Sequence, residues 1–150
     1  MKKRIIILPS LLILIAAIGF MGYKYYNKPV ISLAHSNADL NITATALIKR
    51  FETDEASANK EFLGKKIDYI VTVSGPVKEV IKDERGAYTV VLGDSSNRST
   101  VRCSVDSIQN HEAAALKTGS SISIKGAITG FMKDDLGIGS DVILNRCVID

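Results

Sequence analysis

The sequence is poor in the residues that ordinarily carry out chemistry. It has two histidines and two cysteines in 150 residues. No Cys-x-x-Cys pair occurs, which removes the usual zinc and dithiol patterns. His111-Glu112 lacks the second histidine of a zinc-protease helix, and His35 lies outside any motif. No G-x-S-x-G turn presents a serine nucleophile, and no glycine-rich loop opens a helix to cradle phosphate. Gly137-Ile138-Gly139 falls between two predicted strands, so a hairpin accounts for it. These gaps argue for a protein that is not an enzyme and needs no cofactor.

Positive charge is missing where a polyanion would need it. Of the 19 basic residues, Lys2, Lys3, Arg4, Lys24 and Lys28 precede residue 29. Residues 29–150 therefore carry 14 basic against 16 acidic groups, a net of −2. A basic footprint is the first thing expected of a nucleic-acid binder, so nucleic acid is a disfavoured partner.

What is present begins with 19 uncharged residues, Ile5 to Tyr23, behind Met1-Lys2-Lys3-Arg4 and before Lys24. At ~1.5 Å per residue such a helix covers about 28 Å, close to the ~30 Å hydrocarbon core of a bilayer. A cleaved signal has a shorter apolar region and a small-residue cleavage site. Here Ala16-Ala17-Ile18-Gly19 runs into bulky Phe20 and Met21, and no cysteine stands nearby for lipid attachment. The expectation is an uncleaved single-pass anchor within residues 1–28, a tether over 29–42 and a domain over 43–150. Flanking charge places the N-terminus in the cytoplasm and the domain outside it, in the periplasm, with Tyr23, Tyr25 and Tyr26 at the outer interface.

The domain's pattern predicts structure in order. Thr43 can cap a helix whose apolar face runs Leu47, Ile48, Phe51, Ala58 and Phe62, with a break near Thr53-Asp54-Glu55 and an end at Gly64. Ile67–Ile81 alternates apolar and polar residues as a half-buried strand does, and Gly75-Pro76 suggests a bend. Asp83-Glu84-Arg85-Gly86 reads as a hairpin turn with glycine at positive φ. Further strands are expected over Ala87–Leu92, Ser99–Val105, Ser121–Phe131 and Asp141–Ile149. A helix from Asp106 to Lys117 should lie between the third and fourth, with Asp106 and Gln109 as reciprocal caps. Val71-x-Val73-x-Gly75-x-Val77 recurs 51 residues later as Ile122-x-Ile124-x-Gly126-x-Ile128, two candidate corners of a closed barrel. Three strands, a helix and two strands is the order of the OB-fold, a mainly β, five-stranded Greek-key barrel.

Cys103 and Cys147 lie in strand-like runs. An even pair in an oxidising setting suggests a disulfide, and two buried thiols are the alternative.

Particular residues then become familiar. Tyr25-Tyr26-Asn27-Lys28-Pro29, Phe51-Glu52-Thr53-Asp54-Glu55 with Ala58-Asn59, and Leu63-Gly64-Lys65 before Val73-Ser74-Gly75-Pro76-Val77 form one group. Val101-Arg102-Cys103, Lys125-Gly126 with Gly130-Phe131, and Asp141-Val142-Ile143-Leu144 before Cys147-Val148-Ile149 continue it. Together they resemble the tRNA_anti-like family of small bacterial OB-fold proteins with a membrane or lipoprotein anchor. The resemblance implies fold and placement, and no particular activity.

OB-folds meet ligands across their second and third strands and the loops joining strands 1–2 and 4–5. On that surface the sequence places Tyr88, Arg85, Arg98, Arg102, Phe131 and Lys133, with rim packing as the alternative for Tyr88 and Phe131. Lys133–Asp141 holds three carboxylates that could meet calcium, but the spacing is not an EF-hand's and a solvated acidic turn is the simpler reading. The expected function is a non-enzymatic binding module at the membrane, with an envelope protein, peptide or glycan as partner. Single-stranded nucleic acid or oligosaccharide across the OB face is the alternative.

Overall fold

The computed structural model describes residues 16–24, 33–64 and 68–150. The chain divides into two units, Met1–Ile31 and Ser32–Asp150. In the first, residues 16–24 are helical with Ile18, Phe20, Met21 and Tyr23 exposed. Most of the span expected over 5–23 lies outside the described residues, among which no helix is long and apolar enough to cross a membrane.

The second unit is built on β2 (Tyr69–Lys82), the long strand whose alternation is visible in the sequence. Its first half pairs antiparallel with β5 (Ser121–Met132) from Tyr69↔Ile128 to Pro76↔Ser121. From Val77 onward it pairs with β3 (Tyr88–Leu92) instead. The handover falls at Gly75-Pro76, where one residue has no side chain and the next has no amide hydrogen to leave unpaired. The order continues through β4 (Thr100–Val105) and β6 (Asp141–Ile149) back to β5, closing a five-stranded barrel. The parallel β4–β6 pair closes the sheet and leaves no edge there.

The repeated segments prove to be neighbours. Val73 pairs with Ile124, Val71 with Gly126 and Gly75 with Ile122, so a local two-fold relates the two strands. Their glycines serve close approach as well as bending. A Cβ at Gly75 would come 3.1 Å from Ala44 Cβ, and one at Gly126 would come 2.6 Å from Cys147 Sγ.

Helices close the barrel. Helix α1 (Ala44–Thr53) is capped by Thr43, whose Oγ1 accepts from Ala46 N at 3.3 Å. It buries Ala44, Leu47, Ile48 and Phe51, the i, i+3, i+4, i+7 stripe of an amphipathic helix. Each large apolar side chain so buried stabilises by roughly 1.5–3 kcal/mol. The break expected near Asp54 is present. Asp54 leaves the helical backbone region (φ −150°, ψ 86°), and its carboxylate accepts from Ser57 N at 3.0 Å to start α2 (Glu55–Phe62). Near the other end of β4, a 3-10 turn (Ser107–Gln109) leads into α3 (Asn110–Ala115), which buries Ala113 and is shorter than the helix expected to Lys117. Asp106 caps the turn, but Gln109 does not complete a capping box. Its amide group instead accepts from Ile149 N at 2.6 Å and donates to Ile149 O at 3.2 Å, strapping down the end of β6.

The stretch read as a tether is folded in part. Leu40–Thr43 forms a sixth strand, β1, parallel to β2, and Leu33 joins Ile70, Ala127 and Val148 in a small apolar cluster. Asp39 N donates to Ile70 O at 2.7 Å, and Lys125 Nζ donates to Ala34 O at 3.2 Å. The folded unit therefore reaches back to about residue 33. The segment carries no periodic signal of its own because it is held by partners far along the chain.

Cys103 and Cys147 are fully buried free thiols, so no disulfide is formed. Cys147 hydrogen-bonds Cys103, and that contact together with burial pushes its pKa well above the ordinary thiol range. Arg146, in left-handed backbone (φ 54°), forms the bulge after Leu144 that turns Cys147 inward, and its guanidinium pairs with Asp68.

Candidate functional site

The polar groups of the domain concentrate at the barrel end where β4 and β6 begin and β5 finishes. Here the α1–α2 elbow, the 93–99 turn and the β5–β6 loop meet. Ser99 Oγ donates to Glu52 Oε1 at 2.5 Å and accepts from Ser140 N at 3.1 Å. Thr100 N donates to Ser140 O at 2.9 Å, and Asp134 N to Ser140 Oγ at 3.1 Å. Ser99, Thr100 and Ser140 are the buried polar residues among those described, and this network satisfies them.

The β5–β6 loop is fastened to that network. Asp134 accepts from Leu136 N at 2.8 Å and from Gly139 N at 2.7 Å, and the Gly139 amide is the main reason its carboxyl lies below the usual range. Arg98 Nη1 donates to Gly137 O at 2.5 Å. Gly139 (φ +113°) cannot be replaced easily, since a Cβ would stand 2.5 Å from the Arg98 backbone. The loop holds Leu136 84% and Ile138 75% exposed. Beside it a cleft of about 350 Å³ is lined by Glu52, Asp54, Glu55, Phe131, Lys133 and Asp134 among others.

Of the six residues expected to bind ligand, Phe131 and Lys133 line this cleft and the other four do not. Phe131 stacks on Phe51 (centroids 4.9 Å, planes 19° apart), the rim packing alternative. Tyr88 packs against the core with Lys82 Nζ 5.5 Å from its ring centroid. Arg102 pairs with Asp141 at 3.3 Å, and Lys133 Nζ lies 3.9 Å from Glu55. Arg98 and Lys133 flank the cleft end, whereas Arg85 lies on the β2–β3 hairpin beside Tyr88, where Gly86 takes the expected positive φ (+83°). The carboxylates of the 133–141 loop do not converge, because Asp134 faces backbone amides and Asp141 faces Arg102 and Thr100; no metal-holding group occurs among the described residues. Glu52 and Glu55 had no sequence signal of a site. Leu136 and Ile138 did: large apolar residues beside glycines in a polar loop.

A closed five-stranded barrel with this strand order, a helix between its third and fourth strands and loops framing one end is an OB-fold. The chain belongs to the tRNA_anti-like family, whose model matches residues 1–148. In structure it is similar to a lipoprotein of Klebsiella pneumoniae, named there as a presumptive nucleic acid-binding protein. That likeness has 18% identity over 82% of this chain and 99% of the other, with a TM-score of 0.54, and it establishes the fold. Shorter likenesses reach an OBody bound to hen egg-white lysozyme (17% identity, 54% of this chain and 80% of the other, TM-score 0.41) and an Entamoeba histolytica asparaginyl-tRNA synthetase (13%, 59% and 22%, TM-score 0.40). No curated protein matches the chain in sequence.

Proposed function

We propose that the chain is a non-catalytic OB-fold binding module that meets its partner at the rim formed by the β5–β6 loop. Its N-terminal apolar segment would hold it at a membrane, with the domain outside the cytoplasm. One observation carries the binding reading: Leu136 and Ile138 are kept in water by a loop whose own hydrogen bonds hold its shape. Preorganised exposed apolar groups are what a docking surface requires, because little ordering remains to be done on binding. The pairing of Arg102 with Asp141 and of Lys133 with Glu55 supports a ligand other than a polyphosphate. The anchor rests on the uncharged run Ile5–Tyr23 and its flanking charges.

A photoreactive residue at position 136 of the full chain should crosslink to a discrete polypeptide in intact cells. The same probe at Thr89, on the half-exposed outer side of β3, should not. Equal or stronger products from position 89 would refute the rim as the site. A reporter fused after Asp150 that works only in the cytoplasm would refute the external placement.

The second reading is single-stranded nucleic acid, or an oligosaccharide, across β3 and β4. It is favoured by the name of the Klebsiella lipoprotein. It predicts oligonucleotide affinity that falls steeply with salt and weakens in Arg102→Ala. Absence of binding at low salt removes the nucleic-acid form of it.

A further inference from the structure

The surface around the apolar loop tip has a definite charge. Glu52, Asp54, Glu55 and Asp134 line the adjoining cleft, and Asp135 is exposed on the loop itself. The cations at this end are already engaged, Lys133 towards Glu55, Arg98 on the Gly137 carbonyl, Lys78 on the Asn97 carbonyl and Arg102 on Asp141. Glu52 is bonded to a neutral hydroxyl, that of Ser99, and forms no ion pair among the described residues. The resulting field is negative at the end of the molecule where the apolar side chains project. Met132, 63% exposed, extends the apolar patch along the strand end. The half-buried Phe131, packed on Phe51, closes one side of the cleft.

We infer that this end of the barrel docks a polypeptide segment presenting apolar side chains next to lysine or arginine. The apolar residues would cover Leu136 and Ile138 while the cation enters the cleft towards Glu52 and Glu55. The acidic field discriminates against the other candidates, since phosphate-bearing strands and anionic lipid headgroups would meet like charge. This assignment rests on the reading of the chain as a rim-binding module and specifies the chemistry of its partner.

The test uses the full chain and a labelled nonapeptide of alternating leucine and arginine. Two control peptides replace the arginines by glutamate or the leucines by serine. Saturable binding is expected for the first, with both controls weaker by about tenfold or more. The Leu136→Ser/Ile138→Ser and Glu52→Gln/Glu55→Gln variants should each lose about fivefold or more for the first peptide, the latter also showing a reduced salt dependence. Both pairs alter side chains at the surface or keep a hydrogen-bond acceptor, so the fold should survive, as circular dichroism would verify. Equal binding of the glutamate peptide, or unchanged affinity in either variant, overturns the inference. The chain has no tryptophan, so Leu136→Trp gives a clean reporter of what covers the tip. Its emission should shift to the blue with the leucine–arginine peptide and stay unshifted with vesicles of phosphatidylcholine and phosphatidylglycerol. A vesicle shift in the absence of peptide would assign the tip to the bilayer and overturn the inference. If no peptide binds while crosslinks from position 136 still form, the partner chemistry fails and the module reading stands. If neither occurs, both fail.

Discussion

Replacing Phe51 and Phe131 tests whether the aromatic pair at the barrel end is packing or a platform for ligand. Phe51 is fully buried, its ring 4.9 Å from that of Phe131 and 5.5 Å from that of Phe62. A Phe→Ala change in a core costs about 3–5 kcal/mol. Phe131 is half-buried, and about half that loss, roughly 1.5–3 kcal/mol, is expected of Phe131→Ala. An offset aromatic pair adds about 0.5–1.5 kcal/mol beyond burial, so the double variant should be less destabilised than the sum of the singles by that amount. Against a total stability of about 5–15 kcal/mol, Phe51→Ala alone removes a large share, and at the low end of that range it brings the domain close to unfolding. Urea unfolding of the 32–150 unit, followed by far-ultraviolet circular dichroism, measures all three. If Phe131→Ala leaves the stability unchanged within about 0.5 kcal/mol and shows no coupling to Phe51, the aromatic pair is not packing and the Phe131 ring is free to stack on a ligand.

Three other perturbations address separate features. Gly126→Ala should destabilise by about 1–3 kcal/mol through overpacking, since the new methyl would stand 2.6 Å from Cys147 Sγ; thermal unfolding should show partial rescue by Cys147→Ala. The raised pKa of Cys147 means the folded state keeps a proton that the unfolded chain releases, so this stability is complete below the ordinary thiol pKa of ~8.5 and is lost as pH climbs through the raised value. Urea midpoints should therefore fall less steeply between neutral and alkaline pH in Cys147→Ala than in the native chain. Asp134 behaves in the opposite sense. Its lowered pKa means the loop's hydrogen bonds persist above the usual carboxylate range and are lost as pH falls through the lowered value. Asp134→Ala should accelerate hydrogen exchange at the amides of Leu136 and Gly139 while leaving those of β2 protected.

The local features were legible because their causes are local. Thr43 and Asp54 sit next to the amides they cap, Gly86 supplies its own positive φ, and the alternation of Val71 and Val73 reports which way neighbouring side chains point. The order of strands and one helix then sufficed for the barrel, because few topologies accommodate it. Even the echo of Val71–Val77 at Ile122–Ile128 pointed to paired bends, although not to the fact that the two segments pair with each other.

The composition of the barrel end depends on contacts that span the chain. Ser99 meets Glu52 from 47 positions away, Ser140 meets Ser99 from 41, and Arg98 reaches Gly137 from 39. Nothing in the immediate sequence of any of these residues encodes its partner. The strand position of Phe131 matches the OB face and is compatible with ligand contact or rim packing, and only the packing of α1 against the barrel places Phe51 on its ring. Cys147 faces Cys103 because the Arg146 bulge shifts the phase of β6 after Leu144, and a strand read by alternation alone does not include that shift. By itself the sequence determined the periods, caps and turns, which are fixed within a few residues by backbone sterics and side-chain direction. The tertiary structure decided which charges are neutralised and which apolar residues remain in water, since both depend on what closure of the barrel brings alongside them.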